Sequence, residues 1–165
     1  MLKSGKPRLV VRKSNRYIIA QVVESDIAQD KVLVRASSKD LLAKGWPKEK
    51  AGSLKSMAAA YLTGLLLAKQ LKINVKEVIF DAGLYRTVHG SRIFATLKGA
   101  IDGGLNIPHK EDALPSMERI ESNAKTKGLI KSINLGLPQQ EASRKTKDSP
   151  KAGKVSARGK SKSEK

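Results

Sequence analysis

The sequence predicts an α/β domain: a three-stranded antiparallel meander, a fourth strand parallel to one of these, two main helices, and a basic C-terminal tail of the disordered type. Three observations carry this expectation. Three runs rich in β-branched residues follow one another before Ser37, separated by short polar stretches. An alanine- and leucine-rich segment with helical spacing then intervenes before a fourth such run, and a strand reached through a long helix pairs in parallel. From Gln139 to Lys165, Val155 is the only large aliphatic residue. Such a segment cannot bury enough apolar surface to offset its ordering entropy.

The first strand spans Arg8 to Lys13, with Pro7 at its start. Ser14-Asn15 is a candidate two-residue turn, which makes Tyr17 to Val23 the antiparallel partner. Ser25 to Asp30 is polar and expected to turn, and Lys31 to Ala36 is the third strand. Alternation puts Arg8, Val10 and Arg12 on one face of the first strand and Leu9 and Val11 on the other. The pattern alone leaves two readings open: a half-buried strand with solvated arginines, or a sheet face that lies on phosphates.

Ser37 to Gly52 is polar and charged around Gly45-Trp46-Pro47. Ser53 is an N-cap candidate for a helix whose stripe is Leu54, Met57, Ala58, Tyr61, Leu62 and Leu65. Ala58-Ala59-Ala60 and Leu65-Leu66-Leu67 widen the stripe, so this helix is expected to be buried against the sheet. Glu77 to Asp81 is the fourth strand and Ala82 to Gly90 a loop. A second helix runs from Ser91 to Asp102, with Ile93, Phe94, Leu97 and Ile101 as its apolar face, and stops at Gly103-Gly104. Pro115 to Ile120 predicts a short helix capped by Ser116, whereas Thr126 to Gly136 is ambiguous. The expected divisions are residues 1–120 as the domain, 121–138 as a poorly defined extension and 139–165 as the tail.

Charge points to a polyanionic partner. There are 33 Lys and Arg against 15 Asp and Glu, a net charge of +18, and each cation placed on a phosphate releases condensed counterions. No acid precedes Glu24, whereas Lys3, Lys6, Arg8, Arg12, Lys13 and Arg16 do. Aromatic content of 4% argues against binding single strands on a row of stacked rings. The absence of cysteine excludes disulfides, Cys-ligated zinc and thiol catalysis. Met57 to Ala68 is too short to span a bilayer, and no apolar run follows the first charges as a secretory signal requires. The expected setting is cytoplasmic and bound to nucleic acid, with no membrane partner.

Two segments concentrate candidate contacts. Arg12-Lys13-Ser14-Asn15-Arg16-Tyr17 puts three cations, two small hydrogen-bonding side chains and one ring within six positions. Guanidinium forks suit phosphate oxygens, Ser and Asn suit phosphate or ribose, and Tyr suits an unstacked base. An ordinary solvated hairpin tip is the alternative. Leu84 to Arg92 precedes a helix N-terminus, where free backbone N–H groups favour an anion. There Gly90 would admit a phosphate, Ser91 would cap, Arg86 and Arg92 add charge, Tyr85 a ring and His89 a donor; for His89 alone a structural role is favoured. No nucleotide-binding fingerprint is present. Catalysis lacks material: Asp81 is placed for a metal-dependent nuclease, but the first strand carries no acid, and His89 and His109 have no nucleophile motif beside them. Asp81 is expected to bond backbone N–H groups in the following turn. Neither an enzyme, a cofactor nor a metal site is expected.

Several blocks, in order, resemble one family. Lys6 to Val22, Val32 to Leu41, Ala59 to Leu65, Phe80 to Arg86 and His89 to Ala100 are similar to the archaeal and eukaryotic branch of the universal large-subunit ribosomal protein eighteen. The resemblance covers roughly Lys6 to Ile120. It implies a ribonuclease-H-like topology used without catalysis. It also implies a ribosomal protein that binds 5S rRNA and attaches it to large-subunit rRNA in the central protuberance, beside neighbouring ribosomal proteins. The segments from Arg8 to Tyr17 and from Tyr85 to Arg92 match RNA-facing segments of that family. The expected rRNA-binding set is Lys6, Arg8, Arg12, Lys13, Ser14, Asn15, Arg16, Tyr17, Arg35, Ser37, Trp46, Tyr85, Arg86, His89, Gly90, Ser91 and Arg92. Members usually carry a longer arginine-rich arm where this sequence has Met1 to Gly5. The rival functions are non-specific compaction of nucleic acid, which the tail alone would fit, and a ribonuclease-H-like nuclease.

Overall fold

Alternation in the first strand sorts its side chains as their polarity dictates: Leu9 and Val11 are fully buried, and Arg8, Val10 and Arg12 are half-buried on the opposite face. The computed structural model describes residues 5–26, 29–71 and 77–122. The tail expected over 139–165, the ambiguous stretch from 126 to 136 and almost all of the extension lie outside them. Four strands form one sheet: β1 (Arg8–Lys13), β2 (Ile18–Asp26), β3 (Gln29–Ser37) and β4 (Ile79–Asp81). Their order is β3-β2-β1-β4, antiparallel except for the β1–β4 pair, which is parallel. The meander and the parallel fourth strand are as expected, and β1 is the parallel partner, with Leu9 opposite Phe80.

Three helices follow: α1 (Met57–Gln70), α2 (Arg92–Asp102) and α3 (Met117–Glu121). α1 packs on β2 and β3, α2 on β1, and the two helices cross each other. α1 is buried at every position from Ala58 to Ala68, which the widened apolar stripe foretold. Its polar groups are satisfied internally. Thr63 Oγ donates to the Ala59 carbonyl at 2.7 Å, and the Tyr61 hydroxyl donates to Asp102 at 2.9 Å. Burial, and then the Asp102 carboxylate, push the Tyr61 phenol well above its ordinary pKa, so it stays protonated as a donor.

The helices approach closely because small residues line the crossing. A Cβ at Gly64 would overlap the Thr96 carbonyl oxygen and come within 2.8 Å of the Ala100 nitrogen. A Cβ at Gly99 would overlap the Tyr61 carbonyl oxygen and come within 3.1 Å of the Leu65 nitrogen. Gly103, one turn beyond Gly99, faces the Cβ of Ala68. Backbone meets backbone there, as ridge-and-groove packing permits only for minimal side chains.

Several boundaries differ from the sequence expectation, each for a local reason. The hairpin turn is centred on Asn15-Arg16, not Ser14-Asn15. The Ser14 N–H donates to the Tyr17 carbonyl at 2.9 Å, and the Ser14 hydroxyl accepts from the Tyr17 N–H at 2.9 Å. The polar stretch from Ser25 to Asp30 is strand at both ends, with Ser25 opposite Asp30. Its side chains bond one another across the pair, the Ser25 hydroxyl donating to Asp30 and Arg8 to both. The Ser25 hydroxyl, against a smaller opposing cost of desolvation, and then Arg8 hold the Asp30 carboxyl below its ordinary value. Asp30 therefore stabilises the fold above the unfolded carboxyl's pKa, and this contribution is lost as pH falls through the depressed folded value.

Ser37 to Gly52 is not plain loop. 3-10 turns span Ser38–Lys44 and Lys48–Ser53, and the first opens on a capping box in which Asp40 accepts the Ser37 N–H at 2.8 Å. α1 begins at Met57 because Ser56, not Ser53, accepts the N3 amide, from Ala59 at 3.3 Å; the Ser53 hydroxyl turns back to the Lys50 carbonyl at 2.7 Å. β4 keeps only Ile79–Asp81, since the Val78 N–H leaves the ladder for the Asn106 carbonyl. α2 and α3 begin where expected, after Ser91 and Ser116.

The helix crossing yields the first prediction. Gly99→Ala forces a methyl into the Tyr61 backbone and should destabilise the domain by about 3 kcal/mol or more, the upper end of overpacking costs. Gly52→Ala, where nothing lies within 4 Å of the new carbon, should change stability by less than about 0.5 kcal/mol. Urea unfolding of both variants checks this; equal midpoints would show that the crossing carries no such constraint.

Candidate nucleic-acid interface

Parallel pairing places the carboxyl ends of β1 and β4 side by side, so the β1–β2 hairpin and the loop after β4 emerge at the same end of the sheet. Specific bonds then join them. The Tyr85 hydroxyl donates to the Lys13 carbonyl at 2.7 Å and accepts from the Lys13 N–H at 3.3 Å. The Lys13 ammonium lies 5.6 Å from the centre of the Tyr85 ring. Tyr85 is thus a clamp between the two segments that the sequence marked separately.

The start of the loop is fixed by Asp81. Its Oδ1 accepts the Gly83 N–H at 2.7 Å, the turn role expected of it, while Oδ2 lies 3.8 Å from Arg8 and 3.9 Å from Arg12. Gly83 adopts φ +63°, and the Arg12 guanidinium occupies the space where a side chain would stand. Asp81 is therefore enclosed by arginines. No group of three or more His, Cys, Asp or Glu among the described residues is arranged to hold a metal ion. Nor is any helix among the described residues long and apolar enough to cross a membrane.

Past Tyr85 the chain borders a groove of about 620 Å³ lined by Lys13, Met57, Tyr85, Arg86, Val88, His89, Gly90, Ser91, Arg92, Ile93 and Arg119. No carboxylate among the described residues lines it. Here three expectations are corrected. The Gly90 N–H is not free for an anion, because it donates to the Ala113 carbonyl at 3.0 Å. The space above Gly90, at φ +64°, is taken by the Arg119 guanidinium. Ser91 occupies the N-cap position of α2 without making a side-chain cap bond, and its buried hydroxyl has no partner among the described residues. His89 is exposed rather than a packed structural histidine.

The other expected residues fall into three groups. Ser14, Asn15, Arg16, Arg86 and Arg92 are exposed at this end of the sheet, with Tyr17 half-buried beside them. Lys55 joins them, its ammonium 3.3 Å from the Asn15 carbonyl, and Asn15, Arg16, Tyr17, Ala51, Gly52 and Lys55 line a second groove of about 430 Å³. Arg35 is exposed on β3, away from the loop. The rest are engaged in the fold. Lys6 pairs with Glu77. The Arg8 side chain is only 15% exposed and bonds Ser25 and Asp30, so half-buried but not solvated describes it. Ser37 caps a 3-10 turn. Trp46 is 2% exposed and donates its indole N–H to the Lys50 carbonyl at 3.0 Å, which makes it a core residue with no ring face toward a ligand. Lys55 and Arg119 were missed by sequence reasoning. The helix carrying Arg119 was legible, but the direction of its side chain depends on where α3 docks.

Comparison with known proteins bears on the family. Residues 2–77 and 74–110 match the family described as ribosomal large subunit proteins 60S L5 and 50S L18. Large ribosomal subunit protein uL18 of Aeropyrum pernix is 43% identical over 148 residues, covering 87% of this chain and 67% of that protein. The proteins of the same name from Methanothermobacter thermautotrophicus and Methanoculleus marisnigri are 46% and 48% identical, each covering 73% of this chain. The chain spans 61–67% of the length of these three relatives.

Tyr85→Phe should test the clamp. It leaves the Lys13 carbonyl without its 2.7 Å donor, a loss of about 1 kcal/mol, more where water cannot replace it. Amide hydrogen exchange should quicken over Lys13 and residues 83–90 and remain unchanged in α1. Unaltered exchange in the loop would show that the phenol ring alone holds it.

Proposed function

The chain belongs to the family of ribosomal large-subunit proteins that includes 60S L5 and 50S L18, and from that membership we propose that it binds 5S rRNA and helps attach it to large-subunit rRNA in the central protuberance. The family is one of structural ribosomal proteins, not enzymes, and its members work in the cytoplasmic ribosome. The observation that carries the RNA reading is the convergence of Lys13, Arg16, Lys55, Arg86, Arg92 and Arg119 around two grooves at one end of the sheet, with no carboxylate among the described residues in either lining. Double-helical RNA is recognised mainly through phosphates and 2′-hydroxyls, with unstacked bases as anchors. Exposed guanidiniums, exposed Ser14 and Asn15, and the half-buried Tyr17 suit those three tasks.

We also assign the sheet to the ribonuclease-H-like type, on the support of its order β3-β2-β1-β4 with one parallel pair at β1–β4. The strand-end carboxylate Asp81 faces Arg8 and Arg12, which favours use of this topology for binding rather than metal-dependent hydrolysis. Neighbouring ribosomal proteins complete the expected set of partners.

Competition between 5S rRNA and an unrelated RNA duplex, across a salt series, tests the proposal. Binding should weaken steeply with salt, each phosphate-bound cation adding about 0.9 to the log–log slope on a duplex. The preference for 5S rRNA should persist after residues 139–165 are deleted, with both affinities lowered. A preference lost with the tail would mean that the tail itself carries recognition, and no preference in the full chain would favour non-specific compaction instead.

A further inference from the structure

We propose that Arg119, on α3, is an RNA-positioning residue that seats one backbone phosphate in the groove between the loop after β4 and the start of α2. The inference rests on the RNA-binding reading above and assigns part of the interface to a helix that the sequence motifs did not include. Three observations carry it. First, the guanidinium is held at a defined place: its NH1 lies 2.9 Å from where a Cβ of Gly90 would stand, so the absence of a side chain at Gly90 is what admits it. Second, among the described residues no carboxylate forms a salt bridge with it, in contrast to Arg8 and Arg12 beside Asp81. Its donors therefore face the groove uncompensated, together with Arg92 and Lys13. Third, Ser91 lines the same groove, and its hydroxyl, screened from water, has no hydrogen-bond partner among the described residues. A buried hydroxyl without a partner is costly, and a phosphate oxygen entering the groove supplies an acceptor after a small rotation of that side chain.

The chemistry suits a phosphodiester better than a base. A guanidinium fork matches two phosphate oxygens, and a charge-assisted pair fixes orientation as well as distance. Contacts of this kind set the register of a protein on its nucleic acid and carry no sequence information directly. Arg119 would thereby hold the loop and α3 against the same strand.

The test compares the full chain with Arg119→Ala and Arg119→Lys, each titrated with 5S rRNA and separately with a large-subunit rRNA fragment over a salt series. Arg119→Ala should keep its melting temperature, weaken binding roughly tenfold, and lower the salt slope by about 1 on the RNA that supplies the phosphate. Arg119→Lys should restore the slope but only part of the affinity, because it returns the charge without the fork. The arm in which the slope falls identifies which RNA occupies the groove. If both arms keep the wild-type slope and affinity in Arg119→Ala, the inference is wrong while the functional reading stands. If the wild-type chain itself shows no preference for 5S rRNA, the functional reading fails.

Discussion

The close crossing of α1 and α2 sets the geometry on which the rest of the domain depends. α1 is buried on every side, so it cannot move to accommodate a neighbour. α2 reaches β1 only because Gly64 and Gly99 let the two backbones touch. That contact fixes where α2 begins, and therefore where Ser91 and Arg92 stand relative to the hairpin. Interiors pack at crystal-like density and transmit a displacement rather than absorb it. A shift at the crossing would therefore displace Ser91 and Arg92 relative to the hairpin.

Electrostatics divides the basic residues into two populations. Arg8 and Arg12 approach Asp81, and Arg8 also bonds Asp30, so these two hold the sheet and the loop together. Arg8 in particular lies where isolated charge would be expensive, and its terminal guanidinium nitrogens meet Ser25, Asp30 and Asp81. Arg16, Arg86, Arg92 and Arg119 stand outside this network, at the end of the sheet where the loops converge. Net charge alone does not distinguish the two groups. What separates them is which cations the few acids reach.

This division also explains what was legible in the sequence. Strand periodicity, the crossover and the helix starts at Ser91 and Ser116 depend on local pattern, and all three were readable. The start of α1 was not: Ser53 and Ser56 are both plausible caps, and only the burial of Leu54 ahead of the helix settles which hydroxyl faces the first turn. Thr63 and Gly64 interrupt an otherwise apolar run, yet Gly64 is the contact point with α2 and Thr63 bonds within its own helix. Trp46, set in a polar stretch, looked available to a ligand because its burial comes from residues distant in sequence. The basic hairpin and the loop were both marked as candidate contacts, but not that a single tyrosine joins them.

Gly90 shows why site chemistry is harder to read than fold. A glycine before a helix N-terminus suggests room for an anion, and the inference is sound as far as the backbone goes. In the folded chain the room exists, but a guanidinium from α3 fills it and the Gly90 amide is already bonded to Ala113. The site is thereby changed in kind, from a cradle of backbone N–H groups to a cationic side-chain fork resting on a flat backbone. A fork has directional donors and a full charge, whereas a helix terminus offers about half a charge that fades within one turn. A ligand as densely charged as an RNA strand is better matched by the fork, and the glycine is needed in either case. The same residue thus satisfies two different arguments from sequence, and only the docking of α3 decides between them.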